Sequence, residues 1–159
     1  MRILIISDSH KNYRIIEKII REQPDAKHIF FLGDNVADIE DFVFEYTDRT
    51  FHIVSGNCDF FSTYLSCDLA KIGDTNILFS HGHQFGVKGS TSHILSAAIK
   101  RNCKIALFGH THIPHISYED GVYIVNPGSC SASRQGPNTY AVIDIEENGI
   151  MPIIIEAKF

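Results

Sequence analysis

Asp8-Ser9-His10, Gly33-Asp34-Asn35, Gly56-Asn57-Cys58-Asp59, Ser80-His81-Gly82-His83 and Gly109-His110-Thr111-His112 are the stretches of this chain equipped to do chemistry. They hold five of its nine histidines. Carboxylate and amide oxygens beside imidazole nitrogens are the donor set of borderline divalent ions such as Mn, Fe, Co, Ni or Zn. In Asp8-x-His10 and His110-x-His112 the paired side chains are two apart, so an extended backbone aims both the same way, and one ion could take Asp8 and His10 together. Glycine ahead of Asp34, Asn57 and His110 permits a sharp turn at each place. Taken singly, Gly33-Asp34 or Gly56-Asn57 reads as an ordinary turn, and His81 or His83 as a packing residue as readily as a functional one. A core has little use for an acid and a base delivered together at Asp8 and His10, or for Gly-His-Thr-His. The functional reading rests on the conjunction of all the clusters in one order.

Each cluster closes an apolar run, and those runs are the elements that must position it. Ile3 to Ser7 suits a strand buried on both faces. Ile15, Ile16, Ile19 and Ile20 recur at helical spacing over Tyr13 to Gln23, where Pro24 stops the helix. Ile29 to Leu32 is a second buried strand. Val36, Ile39, Phe42, Val43 and Tyr46 mark a second amphipathic helix, and Phe51 to Ser55 a third strand. This alternation implies a parallel sheet with helical crossovers. Leu69 to Ile72 and Ile77 to Ser80 then form two strands joined through Gly73 and Asp74. Thr91 to Lys100 is a helix, with Ser90 a candidate N-cap, and Ile105 to Phe108 a further strand. Strands follow at about Ile116 to Tyr118, Val122 to Val125, Tyr140 to Ile145 and Met151 to Ala157, with hairpin turns at Asp120-Gly121 and Asn148-Gly149. The expected fold class is α/β, with two packed sheets flanked by helices in one domain, residues 1–159. In open α/β sheets ligands bind beyond the carboxyl ends of parallel strands, so clusters scattered from residue 8 to residue 112 can converge.

Composition narrows the function. The chain has a formal net charge of −5 and no basic tract, which argues against a binder that neutralises a nucleic-acid backbone. An anionic substrate would need something other than Lys and Arg to receive its charge. No apolar run is long enough to span a bilayer, and the apolar start Ile3 to Ile6 meets Asp8 too soon for a signal peptide. Cys58, Cys67, Cys103 and Cys130 show no CxxC pairing and are expected as free thiols in a cytoplasmic protein.

In their order, Asp8-Ser9-His10, Gly33-Asp34, Gly56-Asn57-Cys58-Asp59, His81-Gly82-His83 and Gly109-His110-Thr111-His112 resemble the calcineurin-like metallophosphoesterase superfamily, and within it the small phosphodiesterases of the YfcE type. Asn126-Pro127-Gly128-Ser129 resembles the loop that follows in those small members. The resemblance spans residues 8 to 129 and implies an α-β-β-α sandwich. It also implies two divalent ions per chain, manganese first, with Ni, Fe, Co or Zn as alternatives. Asp8, His10 and His112 would hold one, Asn57, His81 and His110 the other, and Asp34 would bridge them. His83 is expected near the leaving group or in packing. Phosphoprotein phosphatases of the superfamily carry His after the motif asparagine, where it is thought to help protonate the leaving group; here that position is Cys58, which points away from protein phosphatase activity. Arg134, just past the Asn-Pro-Gly-Ser loop, could contact the substrate.

The implied reaction is hydrolysis of a small phosphate ester, most naturally a diester, by a water that two metals about 3.5–4 Å apart acidify. The alternatives are a phosphomonoesterase or nucleotidase, and a non-catalytic scaffold of the same fold, as in a retromer coat subunit. Loss of the ligand histidines would favour the scaffold, yet His10, His81, His110 and His112 are all present. Neither a membrane nor an extended nucleic acid is an expected partner, and a homo-oligomer is compatible with the sequence.

Overall fold

The computed structural model describes residues 1–159. The chain opens with β1 (Arg2–Ile6), α1 (Tyr13–Glu22), β2 (Ala26–Phe31), α2 (Ala37–Glu45) and β3 (Thr50–Ile53). The three strands pair in parallel, with Leu4 opposite Ile29 and Phe30 opposite His52. Parallel neighbours need a crossover between them, and α1 and α2 supply it. A hairpin follows, β4 (Cys67–Ile72) and β5 (Thr75–Ser80), turning through Gly73 and Asp74. A short 3-10 turn (His83–Phe85) and α3 (Ser92–Lys100) lead to β6 (Ile105–Leu107), β7 (His115–Glu119), β8 (Val122–Asn126), β9 (Thr139–Glu146) and β10 (Gly149–Glu156).

The strands form two five-stranded mixed sheets, ordered β10-β9-β1-β2-β3 and β4-β5-β6-β8-β7. Within the second sheet β5, β6 and β8 are parallel. The β9–β10 hairpin crosses back to the first sheet, where β9 runs antiparallel to β1 with Ile3 opposite Ile143. Burial shows why the runs are apolar throughout. Ile3, Ile5 and Phe30 face Phe79, Ile105, Leu107 and Val125 in the layer between the sheets. Leu4, Ile6, Ile29 and Phe31 face outward onto Ile16, Ile19 and Ile20 of α1 and Ile39 and Phe42 of α2. On the far side Leu78, Ala106 and Ile124 pack under Ile94, Leu95 and Ala98 of α3. Adjacent residues of one strand thus serve opposite layers, and the order of layers is α-β-β-α, as expected.

Three local expectations need correction. The β9–β10 hairpin turns through Glu147 and Asn148, because Gly149 already pairs with Glu146. The residue before α3 is Thr91, whose side chain caps nothing, while the Ser90 hydroxyl accepts the Ser92 N–H at 3.1 Å from one position farther out. The third strand ends at Ile53, short of Ser55: Val54 N–H still donates to Phe31 O of β2 at 3.1 Å, but Ser55 N–H donates to Leu65 O of the next loop at 2.9 Å. No helix is long and apolar enough to cross a membrane.

Candidate metal centre

The carboxyl ends of β1, β2, β3, β5, β6 and β8 share one rim, and the polar clusters sit on it. Parallel alignment inside each sheet, and face-to-face packing of the two, bring them together. Asp8, His10, Asp34 and His112 each offer an atom, all within 4.8 Å of one another. Asp34, His81 and His110 form a second such group, so Asp34 belongs to both. Asn57 joins the second group, with Oδ1 3.1 Å from His81 Nε2.

The two groups are made of acceptors that face each other. His112 Nδ1–H donates to Ala132 O at 2.7 Å, and His81 Nδ1–H donates to Leu32 O at 2.7 Å. A carbonyl only accepts, so in the neutral rings both Nε2 atoms point inward as lone pairs. His112 Nε2 meets Asp8 Oδ1 at 3.2 Å and His10 Nε2 at 3.1 Å. His81 Nε2 meets His110 Nδ1 at 3.2 Å and Asp34 Oδ2 at 3.4 Å. Asp8 Oδ1 is buried and accepts no hydrogen bond. Converging lone pairs at these distances call for a proton or a metal cation between them; the donor set fits divalent ions, for which the carbonyl partners would be the orienting shell.

Protonation preferences follow from the same crowding. Burial disfavours the Asp34 carboxylate, but its contact with His81 and the Cys58 N–H, which donates to Oδ1 at 2.9 Å, outweigh burial and hold the group well below the usual carboxylate range. Burial opposes charge on His81 too, yet Asp34 and Asp8 raise its affinity for a proton. The Asp8 contact raises His112. Burial, then the charges of His81 and Lys88, push His110 down to about 4.

The backbone here is strained. Asp8, His10, Asp34, His110 and His112 have positive φ, at 57°, 44°, 61°, 68° and 60°. Such conformations cost of order 1–3 kcal/mol each and cluster at functional sites. They also correct a detail of the sequence reading: the two-apart pairs share an aim through left-handed turns, not through extended backbone. The glycines need correction as well. Gly33 does have φ +92°, but Gly56 and Gly109 are required for space: a Cβ on Gly109 would lie 2.1 Å from Ser7 Oγ, and one on Gly56 would lie 2.1 Å from Asp34 Oδ1.

The other expected residues surround the centre without joining it. The His83 ring lies 5.5 Å from that of His81 and 6.1 Å from that of His110, and its Nδ1 is buried without a partner. Burial and the neighbouring His81 push it down. The Cys58 thiol is exposed beside Asn57 Nδ2 at 3.6 Å; desolvation and Asp34 push it up. Arg134 is exposed; its N–H donates to His112 O at 3.3 Å and its charge is felt at His112.

Several supports were not anticipated. Ser7 Oγ donates to Asp8 Oδ2 at 2.6 Å and Ser129 Oγ to Asp8 O at 2.7 Å. Asn126 Nδ2 donates to Gly109 O at 3.0 Å and to Thr111 Oγ1 at 2.9 Å, which holds the His110–His112 turn. The Asn126-Pro127-Gly128-Ser129 loop is therefore a brace for the ends of β1 and β6. A polar Asn126 closing the apolar run Val122 to Val125, followed by Pro-Gly-Ser, was the available signal. The carbonyls of Leu32 and Ala132 leave no mark in side-chain identity.

Residues 1–148 match the model of the calcineurin-like phosphoesterase superfamily domain. The chain belongs to that superfamily. Among curated relatives it is similar to a probable metallophosphoesterase of Bacillus subtilis, 29% identical over 93% of this chain and 86% of the relative. It is also similar to a phosphodiesterase of Methanocaldococcus jannaschii, 27% identical over 98% and 100%. Among solved structures, a predicted phosphoesterase of Streptococcus pneumoniae superimposes with TM-score 0.84 at 26% identity, over 98% of this chain and 89% of that one. Vps29 of Entamoeba histolytica, solved with zinc, has TM-score 0.75 at 19% identity over 99% and 100%, a likeness of fold.

Proposed function

We propose that this member of the superfamily is a phosphodiesterase that works with two divalent ions, manganese first among the candidates. Asp8, His10 and His112 would hold one, Asn57, His81 and His110 the other, and Asp34 both. The observation that carries this reading is the pair of converging lone-pair sets around one shared carboxylate. Bound there, the ions would supply Lewis-acid polarisation of a phosphoryl group and acidify water.

The chain's own groups would do the rest. Asp8 and Asp34 bring the negative charge that offsets repulsion between two cations. Leu32 O and Ala132 O keep His81 and His112 turned inward. Arg134 has no ion pair in the chain and is free to take an anionic oxygen of the substrate. Cys58 stands where a histidine would assist the leaving group, and a thiol is a weak donor. A substrate that needs little protonation of its leaving group, and that carries one negative charge, fits such a site best. His83, beside two ligand rings, is the remaining proton carrier. The four free cysteines fit a reducing, cytoplasmic setting.

The test compares an aryl phosphodiester, an aryl phosphomonoester and a phosphoserine peptide by kcat/KM, with Mn²⁺ restored after chelation. The diester should be the best of the three. A phosphopeptide turned over fastest would contradict the role given to Cys58, and no turnover of any ester under any of the candidate metals would favour the scaffold.

A further inference from the structure

Asp59 offers no atom to either ligand group, yet its carboxylate is saturated. Oδ1 accepts the N–H of Asn35 at 2.8 Å and of Val36 at 2.9 Å. Oδ2 accepts the N–H of Asp34 at 2.9 Å and of Gly56 at 2.7 Å. The amides of residues 34, 35 and 36 are consecutive, and positive φ at Asp34 and Asn35 (61° and 88°) curls them into a concave cradle. Such a nest of N–H groups, at the entry to a helix, binds anions. Here the anion comes from the chain itself, from the loop that carries Asn57.

The tie also runs the other way, since Asp34 Oδ1 accepts the Cys58 N–H. Between these bonds the main chains touch directly: a Cβ on Gly33 would lie 2.3 Å from Gly56 N. The loops of Asp34 and Asn57 are thus one cross-linked unit. Its third position contributes an amide and leaves the Cys58 side chain exposed, while its fourth contributes the carboxylate.

We propose that Asp59 is a positioning residue for the metal centre. It fixes the shared carboxylate of Asp34 relative to Asn57, so that both ions find their donors at once. Without it, the cradle amides lose their acceptor and the left-handed turn at Asp34 and Asn35 loses its reason to persist. Asp34 would then drift from its place between the two groups. The inference rests on the metal reading above.

The test is Mn²⁺ titration by calorimetry of wild type and Asp59→Asn. The amide is isosteric, but it lacks the charge and turns an N–H donor toward N–H groups. The weaker of two binding events should weaken by about 10- to 100-fold. The Mn²⁺ concentration that half-restores kcat should rise in parallel, while KM for an aryl diester stays within about threefold. Amide exchange at Asn35, Val36 and Gly56 should accelerate. A merely structural role would lower the melting temperature and leave the metal midpoints in place. If Asp59→Asn does not fold, Asp59→Glu decides: its longer arm pushes the loops apart and should weaken the second event by about threefold or more. Wild type that takes up no Mn²⁺ overturns the metal centre, and this role with it. Wild type with two events, and a folded variant with the same two, overturns the role of Asp59 alone.

Discussion

At the residue scale the centre is a set of acceptors aimed at one another, and each ligand's worth depends on how many partners it serves. Asp34 lies within reach of His10 at 4.0 Å and His81 at 3.4 Å, so Asp34→Asn should cost both ion positions. Arg134 is exposed and supports at most one charge-assisted contact. Asp34→Asn is therefore expected to lower kcat/KM by about 10²-fold or more, and Arg134→Ala by about tenfold, chiefly through KM. Steady-state kinetics on an aryl diester distinguishes them, and equal losses would contradict the shared role of Asp34. Cys58→His restores a proton donor of the kind worth about 10² to 10⁴ in rate where it is well placed. It should raise kcat/KM for an aryl monoester relative to the diester. The acids and imidazoles that the fold brings together, and their order, were legible in the sequence because Asp and His do little for a core. The four amides that the Asp59 carboxylate accepts were not, since a Gly-Asn-x-Asp stretch says nothing of where its last carboxylate finds amides.

At the element scale, strand ends and turn glycines set the geometry. Gly109→Ala would drive a methyl group into Ser7 Oγ and the Asp8 carboxylate. The expected result is a loss of metal binding together with about 1–3 kcal/mol of stability, read by titration and urea denaturation. Away from the centre, β2 and β3 carry a histidine pair, His28 Nδ1 to His52 Nε2 at 3.2 Å, with the His52 ring stacked on Phe30 at 4.4 Å. Burial, then the charge of His28, pushes His52 down to about 4. Between that value and an unfolded pKa near 6.5, the unfolded chain binds the proton and the folded one does not. Stability from this group is full above pH ~6.5 and falls as the pH drops toward ~4. Discounted for partial exposure, the loss from pH ~7 to ~5 is about 1 kcal/mol. His52→Phe should flatten that part of the profile in urea denaturation; an unchanged acid slope would contradict it. The inner strands were legible because burial on both faces writes continuous apolar runs, and α1 because its isoleucines recur at helical spacing. The return of β9 and β10 to the first sheet was not, since pairing Ile3 with Ile143 is a matter of tertiary packing with no local signal.

At the scale of the whole molecule, two sheets lock a rim of carboxylates and imidazoles against each other in a protein of net charge −5. Cations that bind only the folded state stabilise it by mass action. At about 100 times the dissociation constant one ion adds about 2.7 kcal/mol, which for a chain of this size is roughly 5–10 °C in Tm. Mn²⁺ should raise Tm by at least that much over chelated protein, and Asp34→Asn should blunt the rise. The most direct measurement of the central claim is anomalous diffraction from crystals grown with Mn²⁺. The account predicts two peaks per chain, about 3.5–4 Å apart, with Asp34 between them, Asp8, His10 and His112 on one side and Asn57, His81 and His110 on the other. A single peak, or none within reach of Asp34, would contradict it.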